Sequence, residues 1–285
     1  MLNAYQHRDA LKDACGIPAS STGDHDQLDM SLESASRLID DWLGYHLYAQ
    51  VATKYFTARD SERLRLEEPV LSVTTLRTDA GGNGSYESTW STDSYRMRPR
   101  NATYDSPPGA YWELTVNQGS TISFPAGVVD GVELLGVWGR YNERTTSTAV
   151  ISTGMAATGE RIEVTGATSL HPGQTIRIDD EIMAVVRNGH SGSGTATTSG
   201  SVFVHRAING SSAATHASGT AIQMYTFPLA DRACQFQAQQ DFRRGLGEPN
   251  VGGMFSERVG VGSFDADLHP AVRRMLRGLR TPVAI

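Results

Sequence analysis

The sequence predicts an α+β protein: a helical bundle built from the N- and C-terminal segments, with a β-region and an inserted small β-barrel or sandwich module between them. Three observations carry this expectation. Leu28, Leu32, Ala35, Ile39, Trp42, Leu43 and Leu47 recur at intervals of three and four across 27–54, which is helical spacing. Such a stripe must be covered, and the stretches best suited to cover it lie at the two chain ends. Between the ends the apolar period changes to two, and long Ser/Thr/Gly runs within a total of 29 glycines point to strands and turns.

Taken in order, the elements divide the chain into four parts: 1–62 and 228–285 as the two halves of the bundle, 63–143 as the β-region, and 144–227 as the inserted module. Residues 7–15 read as a short helix stopped at Gly16-Ile17-Pro18, where glycine accepts the left-handed position and proline cannot continue. The long helix follows, with Asp24 and Asp26 placed to cap it and to offset its positive end, and it fades near Thr53 to Phe56. Leu71 and Val73 alternate with polar neighbours, as do Trp112, Leu114 and Val116. Asn117-Gln118-Gly119-Ser120 reads as a hairpin turn returning through Ile122 and Phe124. A strand over 132–141 carries Gly136 and Gly139, markers of bends or close backbone approach. Residues 144–159 read as a Thr/Ser/Ala linker. Five short strands follow, at 161–165, 174–178, 181–187, 201–206 and 220–225, separated by turn chemistry at His171-Pro172-Gly173, Asp179-Asp180 and Asn209-Gly210. Helical spacing returns over 229–246 and again over 268–279, where Leu268, Val272, Met275, Leu276 and Leu279 make an apolar stripe behind Pro270.

The formal net charge is -6, which argues against a general nucleic-acid binder. Lys12 and Lys54 are the only lysines, so the basic residues are nearly all arginine. That suits planar interface pairs, and a coding bias explains it equally well. Cys15 and Cys234 are too few for a disulfide framework and read as buried free thiols. Neither an apolar run near 18 residues nor a signal peptide is present, so the expectation is a soluble chain made in a reducing cytoplasm, away from any membrane.

The side chains that could carry catalysis all have plainer roles open to them. Asp40-Asp41, Glu67-Glu68 and Asp179-Asp180-Glu181 are adjacent acids. Neighbours on a helix diverge by about 100° and neighbours on a strand point oppositely, so no single pair can act as facing acid and base. Solvated faces and turns explain them. Asp24-His25-Asp26 lacks a second histidine at ligand spacing, and capping explains its aspartates. His171, His190, His205 and His216 are dispersed and could form a three-histidine site only if the module gathered them. Gly81-Gly82-Asn83-Gly84 lacks the Lys-Ser/Thr of a phosphate loop, and no Gly-x-Ser-x-Gly elbow occurs. Neither enzymatic activity nor a cofactor is expected. The sharpest polar feature is the stripe Arg273, Arg277 and Arg280, with Arg274 beside it. It reads either as a contact for an acidic partner or as a solvated face near a helix C-terminus.

The order of these pieces resembles the head–tail connector (adaptor) proteins of tailed bacteriophages. Four places carry the resemblance: the opening helix pair, the strand Leu66-Glu67-Glu68-Pro69-Val70-Leu71-Ser72-Val73, the strand Val132-Glu133-Leu134-Leu135-Gly136-Val137-Trp138-Gly139-Arg140-Tyr141, and the ending Ser256-Glu257-Arg258-Val259-Gly260-Val261-Gly262-Ser263-Phe264 followed by Leu268-His269-Pro270-Ala271-Val272. They cover about half of the chain. The module over 144–227 is the departure from the shorter connectors. It looks like a small β-module of phage structural proteins, through Leu170-His171-Pro172-Gly173-Gln174-Thr175-Ile176-Arg177-Ile178 and His205-Arg206-Ala207-Ile208-Asn209-Gly210.

The resemblance implies a virion protein of the neck, present in the host cytoplasm during assembly. It implies a homo-oligomeric ring of about twelve copies, made by heterologous contacts. That ring would lie under the portal protein, join a tail or head-completion (stopper) protein, and let genomic DNA pass without sequence-specific binding. Net acidity suits such a conduit, because a basic lumen would retain the duplex. The arginine stripe would then meet the portal or a neighbouring subunit. Two other classes stay open: a cell-surface or glycan-binding tail module, which would use the inserted β-module and an exposed set of Tyr86, Trp90, Tyr95, Tyr104, Tyr111 and Trp112, and a neck-borne peptidoglycan hydrolase.

Overall fold

The computed structural model describes residues 2–102, 110–188, 199–245 and 268–280. The bundle expectation is overturned: 35% of the chain described is strand and 23% helix, with four α-helices, a closed six-stranded barrel and a separate antiparallel sheet. The chain forms two compact units, one from 1–43 with 144–285 and the other from 44–143.

In the first unit, α1 (Arg8–Cys15) ends on Gly16, which sits at φ 72° and returns its N–H to Asp13 and Lys12 carbonyls. Lys12 is buried; its ammonium donates to the Ala19 and Ser21 carbonyls at 2.8 and 2.6 Å and so ties the following loop to the helix. Helix α2 (His25–Leu43) buries Leu28, Leu32, Ala35, Ile39 and Leu43. It packs on α3 (Ala230–Gly245), where Ser36 Oγ lies 3.3 Å from Cys234 Sγ. Gln235 and Gln239 of α3 donate to the Ala10 and Ala14 carbonyls of α1 at 2.8 and 2.5 Å. Helices from both ends of the chain do meet, but they share their unit with a closed six-stranded barrel and make no bundle of their own. Neither cysteine is in a disulfide; Cys234 is buried, and burial pushes its thiol up to about 11.

The barrel joins β7 (Arg144–Ile151), β8 (Arg161–Thr165), β9 (Thr175–Ile178), β10 (Glu181–Asn188), β11 (Ser199–His205) and β12 (Ala221–Tyr225) in the closed order β10-β11-β8-β7-β12-β9. Ala149, Ile151, Ile162, Val164, Ile176, Ile178, Met183, Val185, Val202, Val204 and Ile222 fill it. Closure pairs every strand on both sides and leaves no open edge. The stretch expected to be a linker supplies β7. Its Ser147, Ala149 and Ile151 alternate inward, a period hidden by small and polar side chains.

In the second unit, the long helix expected over 27–54 gives way to a strand. Gly44 at φ 81° ends α2, and β1 (Gln50–Phe56) follows with strictly alternating burial. The sheet runs β1-β6-β2-β5-β4, with β3 (Ser88–Thr89) attached to β2 (Arg63–Thr78); β4 is Tyr95–Arg98, β5 Tyr111–Val116 and β6 Val132–Trp138. Strand β2 changes register against β5 between Arg65 and Val70, around Pro69, and against β6 at Val70/Ser72 and Val73/Thr75. The return strand expected through Ile122 and Phe124 is absent. Phe124 instead stacks on Trp90 at 4.6 Å between ring centroids, and both are buried. The close approaches expected at Gly136 and Gly139 are present: a Cβ on Gly139, at φ 120°, would lie 2.2 Å from the Tyr48 carbonyl oxygen. Trp138 is fully buried, donates to the Ala52 carbonyl at 2.9 Å and carries the Lys54 ammonium 4.7 Å above its ring.

Candidate partner-contact site

The C-terminal arginines lie on α4 (Pro270–Leu276), on the 3₁₀ turn Arg277–Leu279 that follows it, and, for Arg280, on the extended residue just after that turn. His269 caps α4 by accepting the Ala271 N–H at 3.1 Å, and Pro270 occupies the first helical position, where no N–H is needed. Val272, Leu276 and Leu279 are buried. The His269 N–H donates to Gln237 Oε1 of α3 at 2.9 Å, and the His269 ring meets Phe236 edge-on at 5.1 Å. The apolar stripe and the cap together fix α4 against α3.

With that face fixed, the four arginines separate. Arg273 is half-buried and has partners of its own. Arg280 is exposed and lies over the Trp42 ring at 4.8 Å, so its guanidinium also covers the end of α2. Arg274 and Arg277 are exposed, and among the described residues neither side chain has an ion pair, a hydrogen bond or a ring contact. Cations at this helix end are mildly favoured by the backbone dipole, which explains their tolerance and leaves their purpose open.

The acidic pairs are dispersed as the backbone geometry requires. Asp40 accepts from the Tyr5 hydroxyl and pairs with Arg37 at 3.1 Å, while Asp41 is exposed. Glu68 pairs with Lys54 at 2.5 Å and His46 at 3.4 Å, while Glu67 is exposed. Glu181 departs from the expected solvated turn. Its carboxylate is fully buried, forms a two-pronged pair with Arg206, accepts the Ala214 N–H at 2.9 Å and faces His216 Nε2 at 2.9 Å. The other ring nitrogen of His216 lies 2.7 Å from Asp179 Oδ2. Burial opposes the Glu181 charge, but the Arg206 guanidinium, the Ala214 N–H and His216 outweigh it and hold the carboxyl down at about 2. A carboxyl kept ionised and fully occupied cannot serve as a general acid. It pins the 206–216 loop to the barrel.

His25 lies between cations, 3.2 Å from Arg8 Nη1 and 3.4 Å from Lys12 Nζ; burial and those two charges lower its pKa. His171 stacks on His7 at 4.4 Å and faces Asp9 at 2.7 Å. The hydrogen bond from His171 lowers the Asp9 carboxyl, and burial lowers His7 to about 4, so His7 is neutral where it caps α1. His171 and His216 therefore take different partners, and His190 lies outside the described residues. Among the described residues no group of three His, Cys, Asp or Glu is placed to hold a metal ion. Of the aromatics expected to be exposed, Trp90 and Tyr95 are buried, Tyr86, Tyr111 and Trp112 are half-buried, and Tyr104 lies outside the described residues. No described helix is long and apolar enough to cross a membrane.

No protein-family model matches the chain, and no curated protein matches it significantly.

Proposed function

We propose that this chain is a structural protein of a phage neck, a head–tail connector that forms a ring beneath the portal, links capsid to tail and continues the DNA channel. The observation that carries this reading is the pair Arg274 and Arg277: exposed, unpartnered among the described residues, and set on a short helix held against α3, in a chain of net charge -6. Two unpaired guanidiniums on a fixed helix suit a carboxylate-bearing protein surface, because each offers a planar fork of donors. Two further features support it. A barrel-and-helix unit and an open-sheet unit give the molecule unlike faces, which a ring of heterologous contacts requires. The net negative charge suits a lumen along which DNA must slide.

The reading assigns the protein no turnover and no cofactor. The glycan-binding alternative loses most of its argument with Trp90 and Tyr95 inside the sheet core. Among the described residues, Asp40, Glu68 and Glu181 of the acid pairs are each held by basic side chains. The test replaces Arg274 and Arg277 together by glutamate, leaving Arg280 on Trp42. The double variant should keep the circular dichroism of the parent and fail to attach to portal-bearing heads. Attachment at the parental level would overturn the reading.

A further inference from the structure

Strand β1 is an end strand of its sheet with β6 as its only strand partner among the described residues. The pairing is regular, seven residues from Gln50↔Trp138 to Phe56↔Val132 with no register shift. In an antiparallel sheet an end strand turns half of its backbone N–H and C=O groups away from its one neighbour. Proteins usually blunt such an edge with proline, a bulge, outward charge or a very short strand. The opposite edge of this sheet is blunted: β4 has four residues, carries Arg96 and Arg98, and is followed by Pro99.

Strand β1 has none of these devices on its outer face. Val51 and Tyr55 are 39% and 51% exposed, and Thr53 between them is exposed too. The strand's one charge, Lys54, alternates to the other face, where Glu68 at 2.5 Å neutralises it.

The residues of β1 are also self-complementary. With a two-fold axis through Thr53, a second copy in antiparallel register sets Val51 opposite Tyr55, Thr53 opposite Thr53, and Ala52 opposite Lys54. β-branched–aromatic and Thr–Thr pairs are favourable across strands, and no like charges face each other. The pairing is isologous, so it joins two copies and stops. We infer that β1 is a homodimerisation edge, and that two copies of this chain join their sheets through antiparallel β1–β1 pairing centred on Thr53. This contact is separate from the unlike-face contacts of a ring and does not depend on them. One seven-residue strand makes a small interface, so the dimer is weak and concentration-dependent.

Sedimentation of the full chain over a concentration series tests this, together with three variants at the exposed Thr53. The parent should show a monomer–dimer equilibrium. T53K and T53E should each raise the dimer dissociation constant by about tenfold or more, because like charges then face each other. An equimolar mixture of the two should recover association through a Lys–Glu pair. T53C should oxidise to a disulfide-linked dimer that the parent does not form, since directly opposite residues lie within disulfide reach. A parent that stays monomeric throughout overturns the inference. So does pairwise association, of single chains or of whole rings, that T53K and T53E leave unchanged.

Discussion

Glu181 and Arg206 make the most consequential pair of residues in the barrel. Asp179-Asp180-Glu181 looks like one acidic turn, and two of its members behave so: the Asp180 side chain is 99% exposed, and Asp179 turns the chain at φ 51°. The third points inward to partners 25 and 35 residues further on, a separation that no local pattern spans. Removing one partner of a buried pair strands the other charge, so Arg206→Ala should cost about 3 kcal/mol or more in urea unfolding. Acid should act on the same group. The Glu181 carboxyl is held below its ordinary value of 4.5, so its stabilising contribution is complete above that pH and fades as pH falls toward about 2. Melting curves of the parent should fall through that window, and those of Arg206→Ala should fall less.

Elements follow the same logic one level up. The α2 stripe was legible because its apolar spacing persists for five turns; its end was not, because Leu47 continues the spacing by chance after Gly44 has already broken the helix. Alternation over Val51, Thr53 and Tyr55, with their β-branched and aromatic side chains, was the available signal for β1. Strand β7 carried a weaker signal, since alanine and serine point inward as readily as leucine when a barrel wall closes on them. Gly139 was legible as a close approach, and its neighbour was not. Gly139→Ala would drive a Cβ into the Tyr48 carbonyl and strain a backbone at φ 120°. It should destabilise the 44–143 unit by about 2 kcal/mol or more, read from the denaturant midpoint at unchanged m-value.

At the scale of the whole molecule, the chain leaves one unit at Leu43 and returns to it at Arg144. The 44–143 unit has its own core, built on Leu64, Val70, Leu76, Leu114, Leu134 and Trp138. A fragment spanning 44–143 should therefore fold alone, with a cooperative thermal transition and dispersed amide resonances; a non-cooperative, collapsed fragment would contradict that autonomy. The candidate site shows the same division between local and distant information. The arginine positions were visible as a stripe, but which of them stay uncommitted was not: α2 supplies the Trp42 ring that takes Arg280, and no described residue takes Arg274 or Arg277.

By itself the sequence determined the periodic elements: the faces of α2 and α4, the short strands between 161 and 225, and the turns that separate them. These depend on spacing and turn chemistry within a few residues, which a single chain displays directly. Only the tertiary structure decided which layer dominates, where the long helix yields to β1, and which polar groups are spent. Those outcomes depend on strand closure and on charge pairs between residues far apart in the chain, and proximity of that kind exists only once the chain has folded.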